Sequence, residues 1–188
     1  MITTLPNLLT LSRIVVLPAF VAAFYLSSPL SNWVTFAIFV AAGLTDFFDG
    51  YLARNLNQVS PFGRFLDPVA DKLLVAAAIL MMVAYDRITG WTVLPALVIL
   101  CREILVSGMR EFLAELKVSI PVSRLAKWKT GCQIVALCFL LLDHAVDDIL
   151  PAATIGILSL WIAAILTLYT GYDYLRVGLG HITDADGE

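Results

Sequence analysis

Residues 45–71 read TDFFDGYLARNLNQVSPFGRFLDPVAD and set four aspartates, Asp46, Asp49, Asp67 and Asp71, between long apolar runs. Carboxylates in or beside membrane-embedded helices are expensive, so they usually face a bundle interior or an aqueous cavity and mark a functional site. On a helix, a step of three or four residues returns to nearly the same face. Asp46 and Asp49 therefore share one face of one helix, and Asp67 and Asp71 one face of the next. Four converging carboxylates repel one another unless cations or protons neutralise them, and divalent metal is the simpler answer. Oxygen donors of this kind suit magnesium, manganese or calcium. Two such ions about 3.5–4 Å apart can clamp an attacked phosphate and its leaving oxygen.

The runs on either side point to a membrane protein. Of 188 residues, 60% are hydrophobic and 14% charged, and mean hydropathy is +0.89. Soluble domains carry about 25% charged residues. A hydrocarbon core takes roughly 20 apolar residues per helix, so this length holds about six spans. They fall near 8–27, 32–53, 67–86, 91–112, 127–146 and 152–176. The fold expected is an all-α integral membrane protein, a bundle of six transmembrane helices forming a single domain over 1–180, with a polar tail over 181–188. The first run has no basic n-region or cleavage site of a signal peptide, so it reads as a retained span. Residues 5–18 could begin with a short interfacial N-terminal helix; alternatively, Arg13 snorkels to the membrane surface.

Charge sets the orientation. Arg54 and Arg64 flank the second connection, Lys117, Arg124, Lys127 and Lys129 the fourth, and Arg176 ends the last span. The opposite connections carry Arg87 but otherwise lean acidic, with Asp86, Asp143, Asp147 and Asp148. The positive-inside rule puts both termini and the aspartates at the cytoplasmic face. A net charge of −3 argues against a general nucleic-acid surface. Cys101, Cys132 and Cys138 are isolated in apolar runs and read as core residues. His144 and His181 read as solvated loop residues.

The spacing Asp46-x2-Asp49-Gly50-x2-Ala53-Arg54-x8-Gly63-x3-Asp67-x3-Asp71 resembles, without a departure, the motif of the CDP-alcohol phosphatidyltransferase family. Residues 6–13 (PNLLTLSR), Arg102-Glu103-Ile104 through Arg110-Glu111-Phe112, and Lys127-Trp128-Lys129-Thr130 with Gln133 extend the likeness to bacterial members that make phosphatidylglycerophosphate. The resemblance implies that Asp46, Asp49, Asp67 and Asp71 hold two divalent cations, Mg2+ or Mn2+, and that Asp71 is also the general base. It implies that Asp49, Gly50, Ala53 and Arg54 contact the CDP moiety, with Thr45 beside them. It further implies CDP-diacylglycerol as donor, a bacterial cytoplasmic membrane, and a homodimer. Physically, Gly50 and Ala53 keep a helix surface shallow for close approach, Gly63 permits a tight turn into the third helix, and Arg54 can offset diphosphate charge. Asp67-Pro68 also has the form of an N-cap followed by Pro at the first helical position.

The acceptor is read from the remaining cations. Arg102 and Arg110 lie eight apart, on one side of a helix, and Lys127 and Lys129 open the next span. Glu103 adjoins Arg102 in sequence but is expected to point elsewhere. Several cations suit an acceptor with a phosphate dianion, which favours glycerol 3-phosphate over serine or free inositol. The reaction expected is a single displacement: Asp71 accepts the acceptor hydroxyl proton, the oxygen attacks the lipid-linked phosphorus, and CMP leaves. Alternatives are another acceptor (phosphatidylglycerol, serine or inositol phosphate) or, in another class, a divalent-metal or proton-coupled transporter. A transporter would place its site near the midplane, often between internal repeats. No convincing repeat is present, and the aspartates cluster at one edge.

Overall fold

A computed structural model of the chain describes residues 5–55, 61–115, 124–146 and 149–185. Among the described residues every regular element is helical: α1 (Leu5–Ala23), α2 (Leu30–Asn55), α3 (Pro61–Ala84), α4 (Val93–Glu115), α5 (Arg124–Leu142) and α6 (Ala152–Ala185), with 3-10 turns at Gly90–Thr92 and Asp143–Val146. Among the described residues three helices are long and apolar enough to cross a membrane, over Gly90–Ala114, Leu125–Leu142 and Ala152–Val177. The apolar stretches of α1 and α2 are shorter, Asn7–Ala23 and Leu30–Asp46. Helix α3 carries Asp67, Asp71 and Lys72 in its first half.

Three boundaries differ from the sequence expectation. The third helix starts at Pro61, whose fixed φ and missing N–H suit a first helical position. Gly63 is therefore buried in the first turn of α3 rather than in a turn before it. For the same reason Asp67 and Pro68 lie inside α3, so Asp67 caps nothing and is available to the site. At the other end of the chain, α6 continues to Ala185, into the segment read as a tail. α1 is one helix from Leu5 onward.

The chain divides into two compact units. The first comprises residues 1–88 and 138–153. Here α1 packs along both α2 and α3. Phe20, Phe24, Phe39, Ala42, Ala70, Leu74, Ala78 and Met82 form its core, the alanines allowing close helix approach. Helix α3 ends in a Schellman arrangement: Asp86, at φ 58°, donates to the Val83 carbonyl and Arg87 to that of Met82 (2.9 Å). Short polar side chains tolerate this left-handed conformation. The reversal turns Arg87 onto the Leu141 carbonyl (2.8 Å) and the Phe24 ring (4.9 Å). Burial lowers the Arg87 guanidinium pKa, with Asp143 opposing.

The second unit comprises residues 89–137 and 154–188. Its core mixes Ala96, Ile99, Val106, Leu113, Ala136, Leu137, Leu160, Ala163 and Ala164 with buried Thr167, Thr170 and Tyr174. Large apolar side chains face outward, among them Trp91, Ile104, Ile162 and Ile165. Apolar outside and polar inside is the pattern of helices solvated by lipid. Cys101 lies on an exposed face and Cys132 and Cys138 are half-buried, so Cys101 is not the core residue the sequence suggested.

Candidate functional site

In the first unit, α1 brings a cation to the aspartates of α2 and α3. Asn7, Thr10 and Arg13 recur every three residues and are all buried, which puts a polar stripe on one face of an otherwise apolar helix. The Arg13 guanidinium donates to Asp46 of α2 through Nη1. The same nitrogen donates to Asp71 of α3 at 3.0 Å, and Nη2 lies 3.7 Å from Asp67. Thr10 donates to Asp67 at 2.6 Å. Because Asp46 and Asp71 oxygens touch one nitrogen, the carboxylates of two helices are gathered within two hydrogen bonds of each other. The Arg13 side chain is 1% exposed, against 41% for Asp46 and 57% for Asp71. The cation sits underneath and the carboxylates open outward. Neither sequence reading of Arg13 gave it these partners.

The side chains of Asp49, Gly50, Ala53 and Arg54 lie outside the described residues. The backbone from Asp46 to Asn55 is helical, as the motif requires. Thr45 donates to the Ala42 carbonyl of its own helix (2.7 Å), a local bond common for threonine within helices. Among the described residues, no three His, Cys, Asp or Glu side chains form a group that could hold a metal ion. The donor chemistry nevertheless fits a hard divalent cation: Asp46, Asp67 and Asp71 offer oxygen alone, converge on one positive group and keep an outward face.

In the second unit the charges are reversed. Glu103 of α4 accepts from Lys129 of α5 and from Arg102 at 3.4 Å. Arg102 also donates to Thr170 of α6 at 3.2 Å. Arg110 donates to the Tyr174 hydroxyl at 2.5 Å, with its guanidinium 4.9 Å from that ring's centroid; Arg102 is 5.9 Å from the same centroid. A Cβ on Gly171 would meet Arg102 Cγ at 3.0 Å, so the glycine lets the arginine stem pass. Three of the four expected acceptor residues, Arg102, Arg110 and Lys129, join one network. Lys127 is exposed and outside it. Glu103 does not point elsewhere, as its place beside Arg102 in sequence suggested; long side chains let neighbours on a helix meet at their tips.

The buried Gln133 Oε1 and Thr167 hydroxyl have no hydrogen-bond partner among the described residues, and both lie one helical turn from members of the network (Lys129 and Thr170). Thr10, Arg13, Thr170 and Tyr174 were missed in the sequence. The usable signal was periodic: residues 7, 10 and 13 on α1, and 167, 170 and 174 on α6, each mark one face of a helix.

The family profile described as CDP-alcohol phosphatidyltransferase matches residues 3–169. A protein of Rickettsia felis is 49% identical over 172 residues, covering 92% of this chain and 93% of its own length. A Haemophilus influenzae protein is 43% identical, covering 96% of each, and a Salmonella typhimurium protein 42% identical, covering 96% and 97%. All three are named CDP-diacylglycerol–glycerol-3-phosphate 3-phosphatidyltransferase. With the profile spanning most of its length and relatives this similar from end to end, the chain belongs to the CDP-alcohol phosphatidyltransferase family.

Proposed function

We propose that this protein transfers the phosphatidyl group of CDP-diacylglycerol to glycerol 3-phosphate, giving phosphatidylglycerophosphate and CMP. The relatives named for this reaction support the donor and acceptor. The observation that carries the acceptor is the pairing of Arg102 and Lys129 with one glutamate, Glu103, beside Arg110 on Tyr174. Arg102 and Lys129 are largely buried, and cations held inside apolar helices suit an anionic ligand. Glycerol 3-phosphate brings a dianion; serine brings none.

In the proposed reaction Asp71 takes the proton from the 1-hydroxyl of glycerol 3-phosphate. The hydroxyl oxygen bonds to the lipid-linked phosphorus of CDP-diacylglycerol, and the bond from that phosphorus to the bridging diphosphate oxygen breaks, releasing CMP. Arg102, Arg110 and Lys129 bind the acceptor phosphate. Gly50, Ala53 and Arg54, with Asp49 and Thr45, receive the cytidine diphosphate moiety; their motif positions support this. Asp46, Asp49, Asp67 and Asp71 would hold two divalent cations, Mg2+ or Mn2+, which supply Lewis-acid stabilisation of phosphate charge.

Six membrane spans in one domain over 1–180, an interfacial start to α1, aspartates and both termini on the cytoplasmic side, and a homodimer belong to the same proposal. The placement of basic residues supports the orientation. The test is CMP release by detergent-purified protein given CDP-diacylglycerol and Mg2+ or Mn2+, with glycerol 3-phosphate, serine, inositol phosphate, phosphatidylglycerol or no acceptor. Release with glycerol 3-phosphate alone is expected. Release with another acceptor would keep the family and overturn the acceptor. No metal-dependent release from folded protein would favour the transporter reading.

A further inference from the structure

We propose that Arg13 is a resident counter-cation of the aspartate centre, a positioning residue that gathers Asp46, Asp67 and Asp71 from the buried side and raises the centre's affinity for divalent metal. The inference rests on the reading of those aspartates as metal ligands. Three observations carry it. Arg13 reaches carboxylates on two different helices, because α1 packs along both α2 and α3. Its side chain is almost wholly buried while the carboxylates open outward. Thr10, one turn earlier on the same face, fixes Asp67 independently.

Arginine suits the task better than lysine. Its planar fork contacts several carboxylates at once, and its charge persists in a buried setting. Four motif aspartates would only be cancelled by two divalent ions. Arg13 adds one positive charge on the buried side. Partners that orient metal ligands from behind are worth about 10- to 100-fold in metal affinity.

The experiment is Mn2+ binding followed by electron paramagnetic resonance, alongside thermal melting in chelator, on the detergent-purified full chain. Arg13→Gln is expected to weaken Mn2+ binding at least about tenfold. Its melting temperature in chelator should fall by roughly 10 °C, with part of the loss recovered on adding Mn2+. Arg13→Lys should fall between, since it keeps the charge and loses the fork. Thr10→Val, which leaves all charges in place, should weaken binding by about twofold to fivefold and serves if Arg13→Gln does not fold. Arg87→Gln, in the same unit, should lower the melting temperature without changing Mn2+ affinity.

Unchanged affinity in both Arg13→Lys and Thr10→Val would overturn the inference. Tighter binding in Arg13→Gln would overturn it too, by making Arg13 a competitor for the carboxylates. Wild-type protein that binds no Mn2+, or binds it equally well as Asp46→Asn, would sink the metal reading itself and the inference with it.

Discussion

The two units of this chain hold charge in opposite senses. In one, Asp46, Asp67 and Asp71 surround a single buried arginine, Arg13; in the other, Arg102 and Lys129 share a single glutamate, and Arg110 rests on Tyr174. Among the described residues the first arrangement gathers more acid than base, and the second more base than acid. Like charges gathered beside apolar helices are relieved by a ligand of the opposite sign. The surplus carboxylates suit divalent cations and the surplus cations suit a phosphate. One centre is read as performing the transfer, the other as choosing what receives it.

Variants can break that division. The largest effect is expected from Asp71→Asn, which removes the proposed base and the carboxylate on Arg13 Nη1. CMP release should fall by about a thousandfold or more, while binding of CDP-diacylglycerol, measured separately, weakens far less. Equal loss of both would reassign Asp71 as chiefly a metal ligand. Lys129→Met comes next: a hydrogen bond to a charged group is worth about 1.5–3 kcal/mol, so kcat/KM for glycerol 3-phosphate should drop about 10- to 100-fold. The donor KM should hardly move, and a matching change in it would merge the two roles.

Finer changes sharpen the cationic side. Tyr174→Phe keeps the ring beneath Arg110 but removes the hydroxyl acceptor at 2.5 Å; the acceptor KM should rise by about threefold to tenfold. Lys127→Ala should stay within about twofold of wild type in both KM values, because Lys127 is exposed and outside the network. If Lys127→Ala matched Lys129→Met, recognition would rest on general positive charge rather than on the built network.

The periodicity of the aspartates made the carboxylate centre legible before any coordinates, and the apolar runs gave six helices in the right order. Helix starts were harder. Asp67-Pro68 has the form of a cap, yet Pro61 starts α3 earlier, since the same proline chemistry occurs at both places and only packing decides between them. Arg13 was legible as unusual but not as part of the site, because no local pattern says that α1 lies along both α2 and α3. Glu103 was misjudged for a related reason: its angular position on α4 is readable, whereas the reach of its side chain toward Lys129 on another helix is not. Polar stripes on apolar helices, at 7, 10 and 13 and at 167, 170 and 174, were the unread signal for both centres.

The most direct measurement is the ratio of kcat/KM for glycerol 3-phosphate to that for glycerol, followed by CMP release in wild type and in Lys129→Met. Recognition of the acceptor phosphate by the cationic network predicts a strong preference for the phosphorylated acceptor, reduced at least about tenfold in the variant. A wild-type protein that used glycerol equally well, or a preference unchanged in Lys129→Met, would contradict it.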